Sequence, residues 1–229
     1  MFKYAKENPL LIVGISGVTC GGKTTTATDL KNILPNTTLF SQDDYFLDVD
    51  DTRHVWIPEL NHINFDVISS LDMSKMYKDI QHFIAVNNFK QIKHGDTDTM
   101  AYQTNGTENG IHYTADISKS LCDQINDSKL SILIIEGFSI FNYEPMLHLF
   151  NLKYYFTLDQ EECFKRRVKR VYEPPDCPGY FEKCVWPEYQ QQLNEVKESV
   201  RDVKYLDGCD KNSVDKILKD ISRCVLHKS

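Results

Sequence analysis

Gly17-x-x-x-x-Gly22-Lys23-Thr24 follows an apolar, β-branched run and opens a helix-compatible stretch, the strand, loop and helix context of a phosphate-binding loop. Over Gly17, Val18, Thr19, Cys20, Gly21, Gly22, Lys23, Thr24 and Thr25, backbone N–H groups must turn inward around phosphate oxygens, in conformations that side chains obstruct. The following helix N-terminus adds free N–H groups and its positive dipole end. Lys23 then neutralises the β- and γ-phosphates of a nucleoside triphosphate, and the Thr24 hydroxyl ligates Mg²⁺. A second group is the aspartate pair of Ser41-Gln42-Asp43-Asp44-Tyr45-Phe46, of which one member can accept the proton of an attacking hydroxyl. Glu136 ends an apolar run, where a carboxylate holds Mg²⁺ through water. Finally, Lys165, Arg166, Arg167, Lys169 and Arg170 place five cations within six residues. A solvated helix face is the plain reading of that cluster. A lid that closes on ATP is the functional one, and it gains weight from the Pro/Gly-rich hinge segment Glu173 to Phe181 beside it.

The chain must bring these groups together. Leu10 to Ser16 reads as a strand and Gly22 to Leu34 as a helix, stopped by Pro35. Residues 38–42 form a second β-rich run that delivers the aspartates to a strand's C-terminal end, the edge at which open α/β sheets bind ligands. Asp48 to Asn61 is acidic and irregular, a surface loop. Met73, Met76, Tyr77, Ile80, Phe83 and Ile84 recur at three- and four-residue steps behind Asp72, predicting a core-facing helix with an aspartate N-cap. Phe89 to Asp116 lacks periodicity and is rich in Gly, Asn, Asp and Thr, an insertion of about residues 89–118. A helix over Ile117 to Ile125 leads into Leu130 to Ile135, whose composition suits a fully buried parallel strand. Leu152 to Leu158 is another strand, and Asp159 with Glu162 resembles a capping box opening a helix through Tyr172. Trp186 to Val200 is helical, Val203 to Leu206 a last strand, and Ser213 to His227 an amphipathic helix. This alternation predicts an α/β fold with a mainly parallel sheet covered on both sides, in one domain spanning 1–229 with a lid at about 160–190.

At 229 residues and 41% hydrophobic content the chain can bury one proper core. Its net charge of −7 opposes nonspecific adhesion to nucleic acid or an anionic membrane, so any phosphate-binding charge must be local. Seven cysteines without zinc-type spacing, and no signal-peptide pattern, point to a reducing cytoplasm. No apolar run approaches the roughly 20 residues of a membrane span.

A phosphate loop alone leaves kinase, GTPase and ATP-driven machine open. There is no Asn-Lys-x-Asp guanine signature, and an aspartate pair with a basic helix is the set that phosphoryl transfer to a bound hydroxyl uses.

Gly14 to Thr25, Ser41 to Phe46, Ile134 to Phe138 with Phe141-Asn142-Tyr143, Arg170 to Phe181, Val185-Trp186-Pro187 and Tyr205 to Gly208 together resemble the animal-type nicotinamide riboside kinases, a uridine kinase-like group. The resemblance runs over nearly the whole chain in matching order. It implies a P-loop NTPase-type three-layer fold with a small helical lid. It also implies Mg²⁺- and ATP-dependent phosphorylation of the 5′-hydroxyl of nicotinamide riboside, and of nicotinic acid riboside, for NAD biosynthesis. By the same resemblance Asp43 is the general base and a magnesium-site residue with Thr24 and Glu136, and Lys23 and Arg166 assist catalysis. Asp66 takes the ribose hydroxyls, as one carboxylate can accept from both members of a vicinal diol. Phe65 and Tyr172 flank the base, whose pyridinium charge suits aromatic faces. Arg166, Arg170, Val171 and Tyr172 fall at ATP-side positions, while Asp44, Tyr45, Phe46, Arg167 and Glu173 fall on the substrate side.

Two departures stand out. Phe65 occupies a position where tyrosine is expected, keeping the ring and losing a hydroxyl, and the 89–118 segment is longer than in compact members. A uridine or cytidine kinase is the alternative enzyme, since it shares loop, base and fold, but a neutral pyrimidine calls for hydrogen-bonding partners rather than two ring faces. A noncatalytic interaction protein on a kinase fold is the other alternative, and retention of Lys23, Asp43 and the arginines counts against it.

Overall fold

A computed structural model describes residues 8–91 and 115–226. Most of the expected insertion, residues 92–114, lies outside the described residues. The central strand β1 (Asn8–Gly17) is buried from Leu10 onward, as expected for an apolar run covered on both faces. Around it run β2 (Thr37–Ser41), β5 (Phe89–Gln91), β6 (Ser131–Glu136), β7 (Leu152–Thr157) and β8 (Val203–Asp207). Their order is β2-β6-β1-β7-β8, and every pairing is parallel. β5 shares β1 with β7, pairing with Asn8 to Leu10 where β7 takes Val13 to Gly17.

Residues of β1 alternate between two cores, as the two-residue strand period requires. Leu10 and Ile12 pack with Met73, Met76 and Ile80 of helix α2 (Met73–Val86) and with Tyr189 and Val196 of α5 (Trp186–Ser199). Leu11, Val13 and Ile15 pack with Ala27 and Leu30 of α1 (Lys23–Ile33), Leu121 and Ile125 of α3 (Ala115–Asp127), and Ile217 and Ile221 of α6 (Ser213–Leu226). The result is the three-layer α/β arrangement of P-loop proteins, a parallel sheet between helical layers. Its register brings Glu136 opposite both Ser41 and Ile15, so the ends of β2, β6 and β1 meet at one edge.

Helix starts follow the expected chemistry. Asp72 caps α2 by accepting from the Lys75 N–H at 2.9 Å, and Asp159 caps α4 (Gln160–Arg167) by accepting from the Glu162 N–H at 2.7 Å. Three expectations need correction. The 48–61 loop contains β3 (Val55–Ile57), which pairs antiparallel with β4 (His62–Asn64) across a 3₁₀ turn at Pro58–Leu60. Residues 89–91 and 115–118, assigned to the insertion, belong to β5 and to α3. The helix expected through Tyr172 stops at Arg167, where the ladder gives way to i−3 turns, the Lys169 N–H donating to Arg166 O at 3.3 Å and the Arg170 N–H to Arg167 O at 2.9 Å.

Candidate active site

Backbone geometry builds the phosphate loop. β1 ends at Gly17 with φ +122°, and a Cβ there would lie 2.1 Å from the Phe156 carbonyl oxygen of β7. Only glycine fits so close an approach in that conformation. Gly22, at φ +95°, turns the chain into α1, and Cys20 holds a left-handed φ of +58°. The Val18 N–H donates to Phe156 O at 3.0 Å and the Gly21 N–H to Val18 O at 3.2 Å, closing the loop over the sheet edge. Lys23 is 8% exposed and donates to Val18 O at 2.8 Å. Burial pushes its pKa down, while the charges of Glu136 and Asp43 oppose that shift. A phosphate at the loop would give the ammonium the anionic partner its burial calls for.

Beside the loop sits an oxygen-rich corner. The buried Glu136 carboxylate accepts from the Thr24 hydroxyl at 3.1 Å and from the Ser41 hydroxyl, tying α1, β6 and β2 together. Such hard oxygen donors suit Mg²⁺. Among the described residues no group of three or more His, Cys, Asp or Glu could hold a metal ion, so a cation here would need phosphate oxygens and water as further ligands.

Asp43 and Asp44 open a 3₁₀ turn over Gln42–Tyr45 and are both exposed. Buried Gln42 anchors that turn, donating to Ser139 Oγ at 3.0 Å and accepting from the Ser139 N–H at 3.1 Å. Asp43 lies near enough to Lys23 and Arg170 for its charge to favour both cations. Tyr45 is buried and donates to Asp79 of α2 at 3.2 Å. Phe46 stacks on Phe138 at 6.2 Å and meets Phe65 edge-on at 6.3 Å. Phe65 is further bounded by His54 and His62, at 5.3 and 5.8 Å.

Segment 160–190 folds over this edge. Arg166 Nη1 reaches Gly208 O at 3.0 Å and Cys20 O at 3.3 Å, with Nε on Glu162 at 2.6 Å. Arg167 is 6% exposed and makes a bidentate pair with Asp176, at 2.7 and 3.0 Å. It also donates to Thr19 Oγ1 at 3.2 Å and lies 3.6 Å from Asp66 Oδ2. Burial works against its charge, but Asp176 and Asp66 outweigh it and raise its pKa. Tyr172 offers its ring to Arg167 at 4.3 Å and to Arg170 at 5.5 Å, with its hydroxyl 3.6 Å from Cys20 Sγ. Burial lifts that phenol to about 12. Val171 and Glu173 are exposed at the start of the proline-rich turn.

Asp66 therefore faces the phosphate loop across a narrow cleft lined by Gly17, Val18, Thr19, Phe138 and Gln192. The remaining space there is about 10 Å³, close to what a single water needs. A larger hollow of about 570 Å³ is bounded by residues of 164–182 alone. Of the two, the smaller space is the one that the phosphate loop shares with Asp66.

Several contributors escape sequence reasoning. Asp176 clamps Arg167, and the Tyr180 hydroxyl accepts from the Phe65 N–H at 2.8 Å and donates to Asp66 Oδ2 at 3.0 Å. Gln192 donates to Asp66 O at 2.8 Å, and Asn64 to Glu188 at 2.9 Å. One signal was present for Asp176, since it is the acidic residue inside the Pro/Gly segment that follows the arginines.

No family model matches the chain. Nicotinamide riboside kinase 1 of Homo sapiens is 36% identical over 197 residues, covering 86% of this chain and 83% of that protein. Nicotinamide riboside kinase 2 of Mus musculus is 32% identical over 221 residues, covering 96% of this chain and 99% of that one. A uridine kinase of Borreliella burgdorferi is more distant, 28% identical over 159 residues and covering 69% and 66%. With a complete phosphate loop, an aspartate pair at the sheet edge and relatives matched nearly end to end, the chain belongs to the nicotinamide riboside kinase family.

Proposed function

We propose that the protein transfers the γ-phosphoryl group of ATP to the 5′-hydroxyl of nicotinamide riboside, and of nicotinic acid riboside, giving the mononucleotide for NAD synthesis. The observation that carries this reading is the single cleft with Gly17 to Thr19 on one wall and Asp66 on the other. A carboxylate that can grip a ribose diol thus faces a loop that can grip a triphosphate.

In this reading residues 1–229 are one kinase domain, and segment 160–190 is its lid. Asp43 accepts the proton of the attacking hydroxyl, Lys23 with Arg166 offsets charge on the phosphoryl oxygens, and Arg167 lies on the riboside side. Thr24, Asp43 and Glu136 are the residues that would hold Mg²⁺, which when bound neutralises phosphate charge. Asp66 holds the ribose, while Phe46, Phe65 and Tyr172 supply ring faces to the base, so that a charged pyridinium gains cation–π attraction. Arg170, Val171 and Tyr172 border ATP, and Asp44, Tyr45 and Glu173 complete the riboside side. No helix among the described residues is long and apolar enough to cross a membrane, no disulfide joins the described cysteines, and the cytoplasm is the proposed compartment.

The test is ADP release from Mg-ATP with nicotinamide riboside, uridine, cytidine or no acceptor, for wild type and Asp43→Asn. Strong riboside-dependent turnover, lowered about 10²- to 10⁴-fold in the variant, is expected. Faster turnover with uridine would overturn the aromatic-pocket argument, and turnover unchanged in Asp43→Asn would remove Asp43 as base.

A further inference from the structure

Tyr180 lies at the far end of the segment that covers the phosphate loop, 1% exposed, and its hydroxyl is committed on both sides. It accepts the Phe65 N–H at 2.8 Å and donates to Asp66 Oδ2 at 3.0 Å. Its ring lies 4.9 Å from His62 of the β3–β4 hairpin and 5.7 Å from the Arg167 guanidinium. One hydroxyl therefore fixes both residues that bound the riboside side of the cleft, and it belongs to the element that also carries the ATP-side arginines.

We propose that Tyr180 is a positioning residue for riboside recognition: its hydroxyl aims the Asp66 carboxylate at the ribose diol and keeps that carboxylate ionised when the 160–190 segment is closed. The proposal rests on the riboside kinase reading above and adds a residue to it.

The chemistry follows from the surroundings of Asp66. Burial pushes its pKa up, which works against a carboxylate that must accept two hydroxyl donors. Opposing that shift are Arg167 at 3.6 Å, the Tyr180 hydroxyl and the Lys23 ammonium. Asp176 adds a like charge behind Arg167, and Cys184 and Glu188 face Asp66 from the helical stretch after Tyr180. Arg167 is already shared with Asp176 and Thr19. Tyr180 is thus the one donor within hydrogen-bonding distance of the Asp66 side chain among the described residues. A carboxylate that loses such a donor in a dry site is easier to protonate and freer to rotate.

Tyr180→Phe keeps the ring and removes the hydroxyl. The expected result is a rise in riboside KM of about 10- to 100-fold, the weight of a hydrogen bond to a charged group, with kcat and the KM for ATP within a few-fold of wild type. The acid limb of riboside kcat/KM should move up by about one pH unit, because Asp66 then protonates sooner. In an Asp66→Asn background the same substitution should add under threefold, since residues in one hydrogen-bond network are not additive.

Two readouts stand apart from turnover. The ¹³Cγ resonance of Asp66, assigned with Asp66→Asn, should titrate about one unit higher in Tyr180→Phe. With 3-fluorotyrosine at position 180, a stronger donor that preserves the fold, it should titrate lower. Identical Asp66 titrations in all three proteins, or an unchanged riboside KM in Tyr180→Phe, would overturn the proposal. Absence of riboside-dependent turnover in wild type would instead remove the underlying kinase reading, and it is scored before any variant.

Discussion

The two walls of the cleft are built on opposite plans. The phosphate wall is one contiguous stretch, Gly17 to Thr25, whose shape is set by backbone dihedrals and by the closeness of β7. The proposed riboside wall draws Phe65 and Asp66 from one segment, Phe138 from another and Arg167, Tyr172 and Tyr180 from α4 and the stretch after it, with Tyr180 and Arg167 converging on Asp66. The first is specified by glycines, with Gly17 and Gly22 held at positive φ and Gly17 hard against the β7 backbone. The second is specified by pairings over about a hundred residues of sequence, such as Asp66 with Tyr180. In the proposed site, binding a triphosphate is a backbone task and choosing the acceptor is a side-chain task.

That contrast can be broken most severely at Gly17. Gly17→Ala would set a methyl against the Phe156 carbonyl at a strained φ, at an expected cost of roughly 3 kcal/mol or more. Thermal melting and soluble yield should both fall, and a variant melting like wild type would mean that the loop can shift away from β7. Asp66→Ala should leave the fold and the KM for ATP close to wild type while raising riboside KM by about 10- to 100-fold. It should also abolish discrimination against the 2′-deoxyriboside, measured by steady-state kinetics with the two acceptors. Retained discrimination would assign the diol to another residue. Tyr45→Phe is the smallest expected change, about 1 kcal/mol of stability from the lost Asp79 bond, with riboside KM within twofold. A large KM effect would mean that the Tyr45 hydroxyl, and not its ring alone, serves the riboside side.

The same contrast explains what could be read from the chain beforehand. The three-layer fold was legible because the nearly continuous apolar run Leu130 to Ile135 and the three- and four-residue stripe from Met73 to Ile84 are signals that local sequence displays. The phosphate loop was legible because its residues are adjacent. The β3–β4 hairpin was not, since strands of three residues around a Pro58 turn are too short to display alternation. Nor was the end of α4, because Lys165 to Tyr172 has good helical composition and Asp176, the partner of the Arg167 side chain, lies beyond two prolines. Asp66 and Phe65 entered only through family resemblance. The roles of Tyr180 and Gln42 as supports are set by partners that local spacing does not encode.

Arg166 carries a mechanical consequence. Its guanidinium is bolted to Gly208 O after β8 and to Cys20 O of the phosphate loop, and Asp159 and Glu162 fix the same helix at its start and along its side. The root of segment 160–190 is therefore part of the chassis. For the lid proposed above this puts the pivot beyond Arg166, in the stretch that carries Tyr172 and Asp176.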